Sequence, residues 1–209
     1  MNTRISELKN SVFYALNDEN NHNVTDDIFT IKGFSGKEYK KFANRLLSRT
    51  SINNYLEIGV WYGSTVIAAL KGNENRVNHK VIDNFSQFGS PKNEFMYNWN
   101  KNLNCSISLV DQDCFKIDFE KENIQNIDAY FYDGDHKEED HYLALKYYYP
   151  ALASTFIYMV DDWTWPAVQQ GTARAIRDLN LKIHTYVSFE GYEDSNGWWN
   201  GCGIFVFEK

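Results

Sequence analysis

Hydrophobic positions along the chain fall into two regimes. Over roughly the first 50 residues they recur at three- and four-residue intervals: Ile5, Leu8, Val12, Phe13 and Leu16, then Tyr39, Phe42, Leu46 and Leu47. That spacing predicts two amphipathic helices. Between them Asn17 through Asp27 is polar and reads as a loop, Ile28 through Ile31 as a short extended piece, and Gly33 as a turn. Ser35 and Glu38 have the spacing of a capping box that opens the second helix. From Asn53 onward the regime changes, and short apolar runs alternate with helical stretches. The runs Tyr55–Ile58, His79–Asp83, Ile107–Val110, Ile127–Tyr132 and Phe156–Val160 read as strands. Helices are expected over Thr65–Leu70, Pro91–Leu103, Glu138–Tyr149, where Pro150 stops the pattern, and Pro166–Asn180. The near-continuous apolar character of Phe156–Val160 is that of a parallel strand covered on both faces. Ile183–Phe189 and Ile204–Phe207 close the chain as an antiparallel pair, joined by a connection rich in Gly, Asn and Trp. The expectation is an α/β fold with a doubly wound, mostly parallel, seven-stranded sheet. Residues 1–50 stand apart as a helical appendage that serves as a lid, a homodimer contact or packing, and 51–209 form the main domain.

The chemistry concentrates where the predicted strands end. Glu57 closes the first strand, and Gly59 and Gly63 follow before the helix start. Glycines there let the backbone approach a ligand without an intervening Cβ. The spacing is not the G-x-G-x-x-G of a dinucleotide site. Asp83 closes the second strand, 24 positions after Gly59. A carboxylate so placed offers two acceptor oxygens to the two hydroxyls of a ribose.

Four further acids, Asp133, Asp135, Asp161 and Asp162, end the fourth and fifth strands. Adjacent parallel strands bring such ends side by side, and carboxylates that close cannot all remain ionised without compensation. A divalent cation such as Mg²⁺, which takes hard oxygen ligands, would supply it. His136 adds a group that titrates near neutrality. Trp163, Trp165, Trp198 and Trp199 fall in predicted loops and are candidates to stack on an acceptor.

Glu57-x-Gly59-x-x-x-Gly63 resembles the first motif of class I S-adenosylmethionine-dependent methyltransferases. Tyr132-Asp133-Gly134-Asp135-His136 and Val160-Asp161-Asp162-Trp163 are similar to the metal-dependent group related to macrocin O-methyltransferase, and Gly171 through Ala175 also fits. The resemblance covers about Asn53 to Phe207 and implies a Rossmann-like fold. It implies S-adenosylmethionine held by Glu57, Gly59, Tyr62, Gly63, Ser64, Thr65, Asp83 and Asp133, with Asp113 and Cys114 beside the adenine. It implies Mg²⁺ on Asp133, Asp161 and Asp162, and Asp135 as the base at an acceptor hydroxyl on a small molecule or glycan. Where that group has Leu or Met followed by Tyr, this chain has His136-Lys137, which makes His136 a rival base. A metal-free N-methyltransferase and a non-catalytic S-adenosylmethionine-binding protein are the alternatives.

Composition narrows the partners. The chain of 209 residues carries a net charge of −7, with an isoelectric point near 5.2. That balance argues against broad binding to nucleic acid or anionic membranes. Three cysteines without a C-x-x-C pattern fit free thiols in a reducing compartment. No apolar run approaches the ~20 residues of a membrane span, and the start lacks a signal-peptide core. The expected compartment is the cytoplasm.

Overall fold

The computed structural model describes residues 3–18, 20–191 and 195–209; residues 192–194 of the Gly-, Asn- and Trp-rich connection lie outside the described residues. Seven strands form one sheet: β1 Asn54–Ile58, β2 Asn78–Ile82, β3 Leu109–Val110, β4 Ile127–Tyr132, β5 Leu152–Asp161, β6 Lys182–Phe189 and β7 Cys202–Glu208. Their order is β3-β2-β1-β4-β5-β7-β6. The pairs β1·β2, β1·β4, β2·β3 and β4·β5 are parallel. β7 is inserted antiparallel to both β5 and β6, so the closing pair is antiparallel as expected.

The helices are α1 Thr3–Asn17, α2 Asp26–Phe29, α3 Lys37–Leu47, α4 Ser64–Leu70, α5 Lys92–Asn102, α6 Glu138–Tyr148 and α7 Pro166–Asp178. They cover both faces of the sheet, and strand alternation shows how. Ala129 and Phe131 of β4, Ile157 and Met159 of β5, and Ile204 and Val206 of β7 point into the core that also holds Leu8, Val12, Phe42 and Leu46. Tyr130, Tyr132, Phe156, Tyr158, Phe205 and Phe207 point into the opposite core, with Leu145 and Val168 of α6 and α7. Successive strand residues face opposite sides, so a sheet with two buried faces needs apolar residues at every position. The N-terminal helices share the first of these cores.

Three local expectations are corrected. Ile28 through Ile31 is not extended: Asp26–Phe29 makes one helical turn, with Asp26 and Asp27 at its amino end, where carboxylates are favoured. The third strand shortens to two residues, because it pairs on one side only, at the sheet edge. The capping box does not form. Gly36 is the N-cap of α3, and the amides of Lys37 and Glu38 donate to the carbonyls of Ser195 and Asn196 at 2.9 and 3.1 Å. A distant loop therefore satisfies the helix end that Ser35 was expected to cap, and Glu38 pairs with Lys41 at 2.8 Å.

Candidate functional site

The site opens outside the carboxyl ends of β1, β2, β4 and β5, beside the point where strand order reverses, where ligands bind in open α/β sheets. The turn after β1 is held from below and from the side. Beneath it, Glu57 is fully buried and accepts from the Tyr55 and Thr65 hydroxyls. Burial pushes its pKa up to about 7, although those hydrogen bonds and one from the Val66 amide pull the other way. From the side, Asp83 Oδ2 accepts the amides of Val60 and Trp61 at 2.9 and 2.8 Å, and Oδ1 accepts that of Phe85 at 2.7 Å. Gly59 has φ +81°, and a Cβ there would lie 1.7 Å from the Asp133 carbonyl oxygen. The close approach of the chain leaving β4 is by itself enough to require glycine here. At Gly63, with φ +86°, a Cβ would meet Phe95 and Ile67, again protein atoms.

Two cavities meet at Gly59, Phe88, Asp133 and Gly134. The first, about 350 Å³, is lined by Asp83, Asp113, Cys114, Phe115, Tyr132 and Asp135 among others. Asp113 accepts the Phe115 amide at 3.0 Å, and its hydrogen bond with Lys116 holds its pKa below the usual range. Burial pushes the Cys114 thiol up to about 12, so it stays neutral. The second cavity, about 440 Å³, has Asp133, Asp161, Asp162 and His136 along one side and the rings of Phe34, Trp61, Phe88, Trp165 and Trp199 along others. Ser64 and Thr65 also line it. Glu57, Tyr62 and Gly63 line neither cavity. Glu57 and Gly63 shape the turn, and the Tyr62 carbonyl accepts from Asn98.

The acids at the strand ends divide into distinct groups. Asp133 and Asp161 share a hydrogen bond. Burial, then the neighbouring acid charges, raises Asp133 well above the carboxylate range and Asp161 to about 7. Asp162, at φ 51°, points its Oδ2 at His136 Nε2, 3.0 Å away. Burial disfavours charge on His136, but Asp162 outweighs it and the imidazole pKa rises. Behind His136, burial drives His141 down to about 3, so that ring is neutral. Asp135 lies apart, paired with Lys137 at 2.6 Å, an interaction that lowers its pKa and weakens it as a base. Asp135 thus borders the first cavity and His136 the second.

The three acids proposed for Mg²⁺ have the right donor chemistry but not the arrangement. Their oxygens are turned to one another and to His136, and among the described residues no three His, Cys, Asp or Glu side chains converge to hold a cation. As placed, they do not fit the metal that the resemblance implies. A shared proton and an imidazole provide the charge compensation instead.

Of the four loop tryptophans, Trp165 and Trp199 line the second cavity. Trp198 stacks on Phe189, with centroids 3.9 Å apart, and Trp163 donates to the Tyr186 hydroxyl. The rings of Phe34, Trp61 and Phe88 were not singled out by sequence. Their one signal is that bulky apolar residues sit in otherwise polar turns: Phe34 and Phe88 are 52% and 70% exposed.

This strand order, with its antiparallel seventh strand and a crevice over β1, β2 and β4, is the Rossmann-like methyltransferase fold. No protein-family model and no curated protein matches the sequence. Solved structures do match in shape. The methyltransferase PaMTH1 from Podospora anserina, bound to S-adenosylhomocysteine, superimposes with a TM-score of 0.67 at 11% identity, over 96% of this chain and 95% of that one. An O-methyltransferase from Bacillus cereus in complex with S-adenosylhomocysteine gives 0.58 at 16% identity, over 100% and 92%. A SAM-dependent O-methyltransferase from Thermotoga maritima gives 0.54 at 11%, over 95% and 71%. Likeness at these identities establishes the fold. No described helix is long and apolar enough to cross a membrane.

Proposed function

We infer that the protein is an S-adenosylmethionine-dependent methyltransferase acting on a hydroxyl of a small molecule. The observation that carries this reading is the pair of cavities with a common wall at Gly59, Asp133 and Gly134. One cavity has the carboxylates and the neutral thiol suited to a nucleoside. The other has a polar side and an aromatic wall suited to an acceptor. S-adenosylhomocysteine in the PaMTH1 and Bacillus cereus structures supports the cofactor assignment.

Asp83 already spends three of its roughly four acceptor positions on the turn. It fixes the floor on which the ribose rests and has about one position left for a hydroxyl. Asp113 and Cys114 border the adenine end. Gly59 and Gly134, on the common wall, would hold the sulfonium end, which would supply an electrophilic methyl there. In the second cavity the Asp162–His136 pair is placed to take up the proton of an acceptor hydroxyl, while S-adenosylmethionine, when bound, would supply the methyl and leave as the thioether S-adenosylhomocysteine. Because the raised imidazole pKa favours the protonated pair, the product state is stabilised locally. His136 is therefore the base in this reading, ahead of Asp135. The remaining barrier reduction comes from holding nucleophile and methyl in line. No step runs through Mg²⁺.

The test is transfer of isotope-labelled methyl from S-adenosylmethionine to a panel of hydroxylated small molecules, with and without a chelator. Labelled methyl ether that persists with chelator and drops about 100-fold in His136→Gln supports the reading. Transfer that needs added Mg²⁺ would restore the metal. Transfer exclusively to amines would move the reading to N-methylation.

A further inference from the structure

The second cavity has one wall that the sheet does not supply. Residues 32–35, between α2 and α3, contribute Lys32, Gly33, Phe34 and Ser35 to its lining. The strip is fixed at both ends. A Cβ at Gly33 would lie 2.0 Å from Ser64 Oγ, so the chain passes directly over the start of α4. Beyond it, the amides of Lys37 and Glu38 are bound to Ser195 and Asn196.

Three groups on this strip line the cavity and have binding capacity to spare. Ser35 is only 9% exposed, and its Oγ has no hydrogen-bond partner. A buried hydroxyl left unsatisfied costs free energy, and Ser35 lines the cavity that a ligand would fill. Phe34 is half exposed and stacks on Trp61, with centroids 4.8 Å apart and planes within 14°. A large ring kept at a cavity mouth is a stacking surface. Lys32 holds its ammonium 5.0 Å from the Trp61 ring centroid and 4.9 Å from that of Tyr62, with no ion pair among the described residues.

The charges are also ordered. The acids and His136 sit at the strand ends, and Lys32 sits at the rim. A ligand with one anionic end is drawn to the Lys32 ammonium, so it enters in one orientation. We propose that the Lys32–Ser35 strip selects the acceptor: a molecule with a flat apolar body, an anionic group at its outer end and the reacting hydroxyl at its inner end. Ser35 Oγ hydrogen-bonds the body of that molecule. Phe34 and Trp61 stack along it. Lys32 pairs with its anionic group. This rests on the methyltransferase reading of the same site and gives residues 32–35 a role in specificity.

The experiment uses the full chain saturated with S-adenosylhomocysteine, titrated calorimetrically with three probes of similar size: phloretate (an aryl anion), para-ethylphenol (neutral) and tyramine (an aryl cation). Phloretate is expected to bind about tenfold more tightly than tyramine, with the neutral phenol between. Lys32→Gln should abolish that gap. Ser35→Ala should weaken all three several-fold while leaving S-adenosylhomocysteine affinity unchanged. Equal affinities, preference for tyramine, a gap that survives Lys32→Gln, or no binding of any probe to the loaded protein would overturn the proposal. If S-adenosylhomocysteine itself did not bind, the methyltransferase reading would fall and take the proposal with it, so the two failures are distinguishable.

Discussion

Asp83 Oδ2 accepts the backbone amide of Trp61 at 2.8 Å and so ties the end of β2 to the turn after β1. The same carboxylate accepts two more amides, those of Val60 and Phe85. A residue at the expected ribose position is thus also the brace of the loop beneath the first cavity. Asp83→Ala leaves three amides without acceptors. It should destabilise the fold by about 2–3 kcal/mol, read from the midpoint of urea unfolding. Asp83→Asn keeps one acceptor oxygen and should cost less than half of that. Equal stability of the alanine variant and the parent would show that the brace is not formed.

Glu57 gives stability a defined pH dependence. Its pKa is about 7 in the fold, against 4.5 for an unperturbed glutamate. Below 4.5 the group is protonated in both states and costs nothing. Between 4.5 and 7 the unfolded chain ionises first, so stability falls as pH rises. Above 7 both states are ionised and the full cost remains. That cost is roughly 3 kcal/mol at full burial. Glu57→Gln stays neutral throughout. The unfolding free energy of the parent minus that of the variant should therefore fall as pH is raised from 4.5 to 8. A difference independent of pH would contradict the placement of Glu57.

How much of this was legible in sequence depends on the range of the interactions. β4 and β5 were readable because each needs apolar residues on two faces, and that demand is written within the strand itself. Asp83, Asp133, Asp161 and Asp162 were readable because strand ends are local features. What Ser35 does was not, since the amides it was expected to cap are bound by Ser195 and Asn196, far along the chain. Phe34 and Phe88 were missed for the same reason, because they meet Trp61 only through the fold. The reason for Gly59 was likewise hidden, as the atom that excludes a Cβ is the carbonyl of Asp133, just past the end of β4 and 74 positions along the chain.

Gly59→Ala tests that packing. The new methyl would overlap the Asp133 carbonyl, and φ at this position is +81°. Backbone collision and left-handed strain together should cost more than about 3 kcal/mol, seen as a lowered Tm or loss of soluble protein. An alanine variant as stable as the parent would mean that β1 and β4 are spaced more widely here.

As the proposed base, His136 should set the acid limb of activity. Its pKa is raised by Asp162, and in the reading proposed above the neutral imidazole is the competent form. The rate should therefore fall as pH drops, with a midpoint above the ordinary imidazole value of ~6.5. Asp162→Asn removes the raising charge and should move that midpoint down while S-adenosylhomocysteine affinity holds. A pH profile flat across the imidazole range, or unmoved in Asp162→Asn, would exclude this pair as the base.

Cofactor binding in the proposed reading depends on the cavity beside Asp113 and Cys114. Calorimetric titration of the parent protein and of Cys114→Trp with S-adenosylmethionine tests it directly. The indole would occupy the cavity lined by Asp83, Asp113 and Asp133, away from the Asp162–His136 pair, which lines the second cavity alone. Saturable one-to-one binding by the parent, abolished in a folded Cys114→Trp variant, is the predicted result. No binding by the folded parent, or binding that Cys114→Trp leaves unchanged, would contradict it.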